Sequence, residues 1–273
     1  MHSLVVVIPV YEKALSDKNI ISIKQCFSIF RENQITIVTH EEVDLSIYYK
    51  LAQESDYHDL NIEYFHHRFF KNINGYNQLL LSKDFYKRFL NFEYLLVFQD
   101  DAFVFSNDLS IWMNHKVDYV GAPWVSLQDG QVHLIGVGNG GLSLRKVAAF
   151  YKIFSSFRYI NRCDDIWRKY KKMNWKGRVF HFFDLIFGLS IGSFAHSSLN
   201  TFKGHEDVYI SKYLSSYVRV ADIDSALKFA FEEHPSALYE MNNHHLPFGC
   251  HAWWRYDVDF WIPKIEKFGY DIA

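Results

Sequence analysis

Leu4-Val-Val-Val-Ile8-Pro9-Val10 and Ile35-Thr-Ile-Val38 read as two β-strands. The first, Leu4 to Ile8, is an unbroken branched apolar run, as expected of a strand covered on both faces. Between the two, Asn19 to Phe30 places Ile20, Ile23, Phe27 and Phe30 at helical spacing. Strand, helix, strand at this distance is a βαβ unit, which predicts parallel pairing and a right-handed crossover.

Outward from that unit, Asn61–Phe65 reads as a third strand and Tyr76–Phe89 as a helix with Leu79, Leu80, Phe85 and Phe89 toward the core. Tyr94–Phe98 is another buried strand, and Asp118–Gly121 a short one. Gly136–Arg145 reads as a glycine-rich loop entering a strand, with a helix from Lys146; Gly204–Tyr213 opens a further helix. Phe231–Pro235 and Pro247–Trp254 supply C-terminal strand and loop pieces. No repeat or linker interrupts the chain, so residues 1–273 are expected to form one α/β domain, with a basic aromatic insertion at 151–200.

The 273 residues carry a net charge of −2, which gives no global reason to expect a nucleic-acid partner. Cys26, Cys163 and Cys250 form no C-x-x-C pair, which argues against a zinc ribbon or dithiol redox site and fits a reduced compartment. The apolar run near the start is too short for a secretory leader or a membrane span, and a cytoplasmic protein is expected. Aromatic residues make up 18% of the chain, so some are available to stack on sugar rings or bases.

The strongest chemical feature is Leu95-Leu-Val-Phe-Gln99-Asp100-Asp101-Ala-Phe-Val-Phe105. Adjacent carboxylates at the C-terminal end of an apolar strand sit where open α/β sheets bind ligands, and can hold a hard divalent cation against a diphosphate. They could equally be turn or cap residues. Glu206 and Asp207 could supply a base within reach of a substrate hydroxyl, or simply an acidic pair favoured at a helix N-terminus. His251 could join carboxylates as a metal ligand or serve in packing. Gly136, Gly138 and Gly141 fit G-x-G-x-x-G, but they lie mid-chain and precede a strand, which disfavours a dinucleotide site. Gly140 and Gly141 would instead let backbone approach a sugar, or form a plain turn. Arg145 and Lys146 read as surface charges.

In order, these motifs resemble the GT-A glycosyltransferases, most closely a bacterial family with Gln-x-Asp in place of Asp-x-Asp. The resemblance implies a Rossmann-like mixed sheet flanked by helices. It implies transfer of a sugar from a nucleotide donor, a UDP-sugar first among them, to a hydroxyl of a surface glycan or lipid-linked acceptor. It places Pro9, Tyr11, Thr39, Tyr76 and Asn77 around the nucleotide. Gln99, Asp100 and Asp101 fall at the diphosphate, and Asn139, Gly140 and Gly141 beside the donor sugar. Asp101 and His251 then hold a divalent metal (Mn2+ or Mg2+), and Asp207, with Glu206 second, is the base of an inverting transfer. Gln99 carries no charge, so metal binding is weakened and a metal-free diphosphate site stays open. The alternatives are a non-catalytic sugar- or nucleotide-binding protein and a metal-dependent nucleotidyltransferase.

The basic aromatic stretch Tyr151–Phe187 has three readings: a solvated helix pair with its apolar face on the core, a surface that contacts the inner face of a membrane, or a grip on an anionic or lipid-linked acceptor.

Overall fold

Six strands build the central sheet of the computed structural model, which describes residues 3–11, 14–155, 167, 170–183, 185–186 and 204–272. In chain order the first elements are β1 (Leu4–Pro9), α1 (Asp17–Ile29), β2 (Gln34–Thr39), α2 (Ser46–Glu54), β3 (Leu60–Tyr64), α3 (Ile73–Leu80), α4 (Lys83–Arg88) and β4 (Tyr94–Phe98). They are followed by β5 (Ala102–Val104), α5 (Ser110–Asn114), β6 (Tyr119–Val120), β7 (Pro123–Gln128), β8 (Gln131–Val137), β9 (Leu142–Lys146) and α6 (Val147–Phe154). Beyond them lie helices at Trp175–Phe180, Glu206–Tyr209, Ile223–Phe229, Pro235–Met241 and Val258–Ile265, and strands β10 (Ala230–Phe231) and β11 (Gly249–His251).

The sheet order is β3-β2-β1-β4-β9-β6. The first four strands pair in parallel, while β9 runs antiparallel to both β4 and β6, so the sheet is mixed. Because helices cover both faces, neither side of a central strand is polar. Leu4, Val6 and Ile8 of β1 and Tyr94, Leu96 and Phe98 of β4 pack with α1 residues Ile23, Cys26 and Phe27. Val5, Val7, Leu95 and Val97 point the other way, onto Leu79 and Leu80 of α3, Phe85 of α4 and Phe150 of α6. A small sheet, β10-β11-β5, and a β7–β8 hairpin extend the core.

Crossovers on both sides of β1 create a switch point between β1 and β4, whose C-terminal ends are Pro9-Val10-Tyr11 and Phe98-Gln99-Asp100-Asp101. Ligands of open α/β sheets bind at such a point. The first turn of α1 supports it. Ser16 and Asn19 form a capping box, and Asn19 Nδ2 donates to the Asp100 carbonyl at 3.1 Å.

Two expectations need correction. The helix expected over Tyr76–Phe89 is two helices, because Ser82 caps α4 by accepting from Phe85 N at 3.2 Å and so breaks the run. Arg145, expected on the surface, is wholly buried. In the 151–200 insertion, the described aromatics Trp175, Phe180 and Phe183 face solvent, and the apolar run 187–194 lies outside the described residues.

Tyr57 joins β2 to the loops beneath it. Its hydroxyl accepts from Ile35 N at 2.7 Å and lies 2.9 Å from Asn33 O and 3.0 Å from Asp59 O. Tyr57→Phe leaves the buried Ile35 N–H without that acceptor, and the expected cost is about 1–3 kcal/mol in urea unfolding.

Candidate functional site

β4 ends at Phe98, opposite Leu142 of β9, and the pairing continues as Gln99 N donates to Gly141 O at 2.8 Å. On the other side, His251 of β11 stands opposite Ala102 of β5. Two sheet registers therefore bring Gln99, Asp101, Gly141 and His251 together from three distant parts of the chain.

His251 is the hub of the charged cluster. Its Nε2 lies 3.0 Å from Gln99 Oε1 and 3.0 Å from Asp101 Oδ1, and its Nδ1 lies 2.9 Å from Glu232 Oε1. Arg255 NH2 reaches the second oxygen of Asp101 at 3.1 Å. Burial opposes charge on the imidazole, but Asp101 and Glu232 outweigh it and raise the His251 pKa to about 10. Burial likewise opposes charge on Asp101, and His251 and Arg255 hold its carboxyl below the ordinary value. Gly141 is forced to be small, since a Cβ there would lie 2.0 Å from His251 Nε2.

The loop between β8 and β9 is organised by Asn139, in the left-handed region at φ 67°. Its backbone N–H donates to Asp207 Oδ2 at 2.8 Å, and its carbonyl accepts from Tyr119 OH at 3.3 Å. Its side-chain oxygen accepts from Gly141 N at 3.0 Å, while its side-chain nitrogen donates to Glu232 Oε2. Trp124 Nε1 also donates to Asp207 Oδ2, at 3.3 Å. Asp207 and Asp101 are thus the two ends of one network running through Asn139, Glu232 and His251.

Glu206 is employed differently from its neighbour. It is buried and ion-paired with Arg145 at 2.9 Å; Arg145 also donates to Ser143 Oγ at 3.0 Å and Tyr86 OH at 3.2 Å. Burial raises the Glu206 pKa and Arg145 opposes the rise. Gly140 makes room for this pair, because a Cβ there would lie 1.8 Å from Glu206 Oε1.

The nucleotide-side residues divide. Pro9 and Thr39 are buried, and the Thr39 hydroxyl donates to Val10 O at 2.9 Å. Tyr11 stands edge-on to Phe70 and Tyr76, with ring centroids 6.0 and 5.7 Å away. Asn77 donates to Gly204 O at 3.1 Å. The buried Asn77 Oδ1 has no hydrogen-bond partner among the described residues, and the buried Tyr76 hydroxyl faces the Gln99 side chain. A cleft of about 490 Å3 opens beside Val10, Tyr11, Val43, Asp44 and Tyr48, and another of about 410 Å3 beside His40, Tyr64 and His67. A groove of about 580 Å3 beside Phe105, Trp112, Lys228 and His245 shares no residue with the charged network.

Asp101 Oδ1, Gln99 Oε1 and His251 Nε2 are the atoms that could share a divalent cation. Asp101 Oδ1 is buried with the protonated His251 imidazole as its neighbour at 3.0 Å, so a cation bound there would take the place of that proton. Among the described residues no group of three or more His, Cys, Asp or Glu side chains is arranged to hold a metal; the third donor here is an amide. Glu232, Arg145 and Arg255 are the members of the network that sequence reasoning did not single out.

Two outcomes follow. Arg145→Met leaves Glu206 buried without its cation, with an expected loss of about 3–5 kcal/mol in denaturant unfolding. His251 stabilises the metal-free fold through its charged form, because its pKa rises from 6.5 to about 10 on folding. That contribution is full below pH 6.5 and fades as pH rises toward about 10. The stability gap between the native chain and His251→Gln, measured by urea unfolding across this range, is expected to shrink accordingly.

Comparison with known proteins gives three kinds of result. No curated protein sequence matches the chain. Among solved structures, it is similar to a bifunctional glycosyltransferase, WbbM, at 11% identity and a TM-score of 0.44, covering 92% of this chain and 45% of that one. It therefore spans less than half the length of that protein. It is also similar to a glycosyltransferase involved in glycosylation of the major capsid of PBCV-1, at 12% identity and a TM-score of 0.42, covering 91% and 93% of the two chains. A mannosyltransferase from Pyrobaculum calidifontis, in complex with GDP-Man and Mn2+, is similar at 14% identity and a TM-score of 0.38, over 57% of this chain and 47% of that one. Residues 59–251 match the family model described as "Protein of unknown function (DUF5672)", and the chain belongs to that family.

Proposed function

We propose that the protein is a glycosyltransferase that moves a sugar from a nucleotide-sugar donor, a UDP-sugar first among the candidates, to a hydroxyl of a surface glycan or lipid-linked acceptor. The observation that carries this reading is the continuous network from Asp101 through His251, Glu232 and Asn139 to Asp207. It joins a diphosphate-binding end to a carboxylate base at the mouth of the sheet's switch point.

The nucleotide occupies the clefts at the ends of β1 and β2, against Tyr11. His251 and Arg255 supply positive charge at the diphosphate end. In place of the His251 Nε2 proton, a divalent cation would be held by Asp101, Gln99 and the then neutral His251, and would supply Lewis-acid stabilisation of the leaving diphosphate. Among the described residues both side-chain and backbone donors to Asp207, Trp124 Nε1 and Asn139 N, take Oδ2, and Oδ1 faces the acceptor in this reading. As the acceptor oxygen forms its bond to the anomeric carbon, the bond from that carbon to the diphosphate oxygen breaks. The acceptor proton passes to Asp207, and the diphosphate leaves with the electron pair. One displacement of this kind inverts the anomeric centre. Glu206, tied to Arg145, holds the base loop in place.

Asp207→Asn is the informative substitution, because its amide oxygen still accepts from Asn139 N and Trp124 Nε1. The expected result is a fall in kcat of about 10²–10⁴ with nucleotide affinity little changed. Release of nucleoside diphosphate and transfer of labelled sugar to an acceptor extract would be measured together. Full activity in Asp207→Asn would rule out this base, and sugar phosphate released together with nucleoside triphosphate, only when pyrophosphate is added, would indicate the nucleotidyltransferase class instead.

A further inference from the structure

We propose that the segment spanning residues 167–186 docks the protein on an anionic phospholipid surface. This inference stands apart from the glycosyl-transfer reading. Among the described residues here, Trp175 is 72% exposed, Phe180 80% and Phe183 72%, and Trp167, Val179, Phe182 and Ile186 are also exposed. So many large apolar side chains in one short stretch mark a surface meant to be covered.

The segment is held by its own bonds. Asn174 caps the helix Trp175–Phe180 by accepting from Gly177 N at 2.9 Å. Arg178 donates to Met173 O at 3.0 Å and to Lys171 O at 2.7 Å, and Tyr170 OH donates to Arg178 O at 3.1 Å. This clamp fixes the turn before the helix without using the aromatic face.

The chemistry of the cover follows from charge. Residues 167–186 contain six Lys or Arg and one Asp, in a chain whose net charge is −2. The cations are interleaved with the rings: Lys171 lies over Trp167 at 5.2 Å and Lys176 over Trp175 at 5.8 Å. Protein interfaces deplete lysine from their centres. A headgroup layer instead accepts ammonium groups while the rings enter the acyl boundary. No helix of the described residues is long and apolar enough to cross a membrane, so the contact is interfacial.

The test is co-sedimentation of the full chain with vesicles of phosphatidylcholine alone, or of phosphatidylcholine with phosphatidylglycerol. Pelleting is expected with the anionic vesicles. It should weaken from 0.1 to 1 M salt, as the screening length falls from about 10 to about 3 Å. Replacing Lys171, Lys172 and Lys176 together with Gln should lower partitioning roughly a hundredfold, near fivefold per charge. The combined Trp175→Ser, Phe180→Ser and Phe183→Ser variant should not pellet at low salt. Unchanged melting temperatures would show that both variants fold. The proposal is overturned if the native chain pellets with neither vesicle, binds both equally, or binds no better than the folded variants. It is also overturned if light scattering shows a dimer that the serine variant splits and that does not bind vesicles.

Discussion

Asn139 spends every polar group it has. Its backbone holds the base candidate Asp207 and accepts from Tyr119, while its side chain closes the turn onto Gly141 and ties to Glu232. It does so from a left-handed backbone conformation that asparagine tolerates better than most residues. Releasing it would free both the loop carrying Gly140 and Gly141 and the carboxylate paired with His251. The two chemical ends of the site are coupled because one residue is bonded to both.

A second constraint lies beneath the loop. In β9, Leu142 and Leu144 join the core on one face of the sheet, while Ser143 and Arg145 point to the other. Arg145 brings a full charge into that buried layer, so Glu206 must be there to balance it, and Gly140 must lack a side chain to leave room. Buried pairs of this kind are costly to break and fix geometry more than they add stability. Here the pair sets the first turn of the helix that carries Asp207.

Much of this was legible in the sequence. Apolar runs without alternation gave β1 and β4, and an apolar strand running into carboxylates placed Gln99–Asp101 at a sheet edge. Arg145 reads as a surface charge because arginine is rarely buried unless paired, whereas a strand covered on both faces buries its polar positions too. Glu232 and Arg255 carry no local signal; they matter only because β10, β11 and the turn after β11 bring them beside residues distant in the chain. Asp129-Gly130, with φ of 50° and 75°, is the Asp-Gly hairpin turn that joins β7 to β8. Ser82 broke a helix whose apolar pattern ran straight through it.

Under the proposed function, the same network makes the Asp101 end ambivalent toward metal. Asp101 is already flanked by His251 and Arg255, so an incoming cation must displace positive charge, while an incoming diphosphate meets charge already assembled. The central claim, that this sheet edge binds a nucleotide donor, is tested most directly by thermal shift of the whole chain with a panel of nucleoside diphosphates, with and without Mn2+. A ligand that binds only the folded state raises the melting temperature by mass action. The expected result is a saturable shift with one nucleoside diphosphate above the rest, and Mn2+ dependence would report whether Asp101, Gln99 and His251 share a cation. A well-folded protein whose melting temperature no nucleotide moves, with or without Mn2+, would contradict the claim.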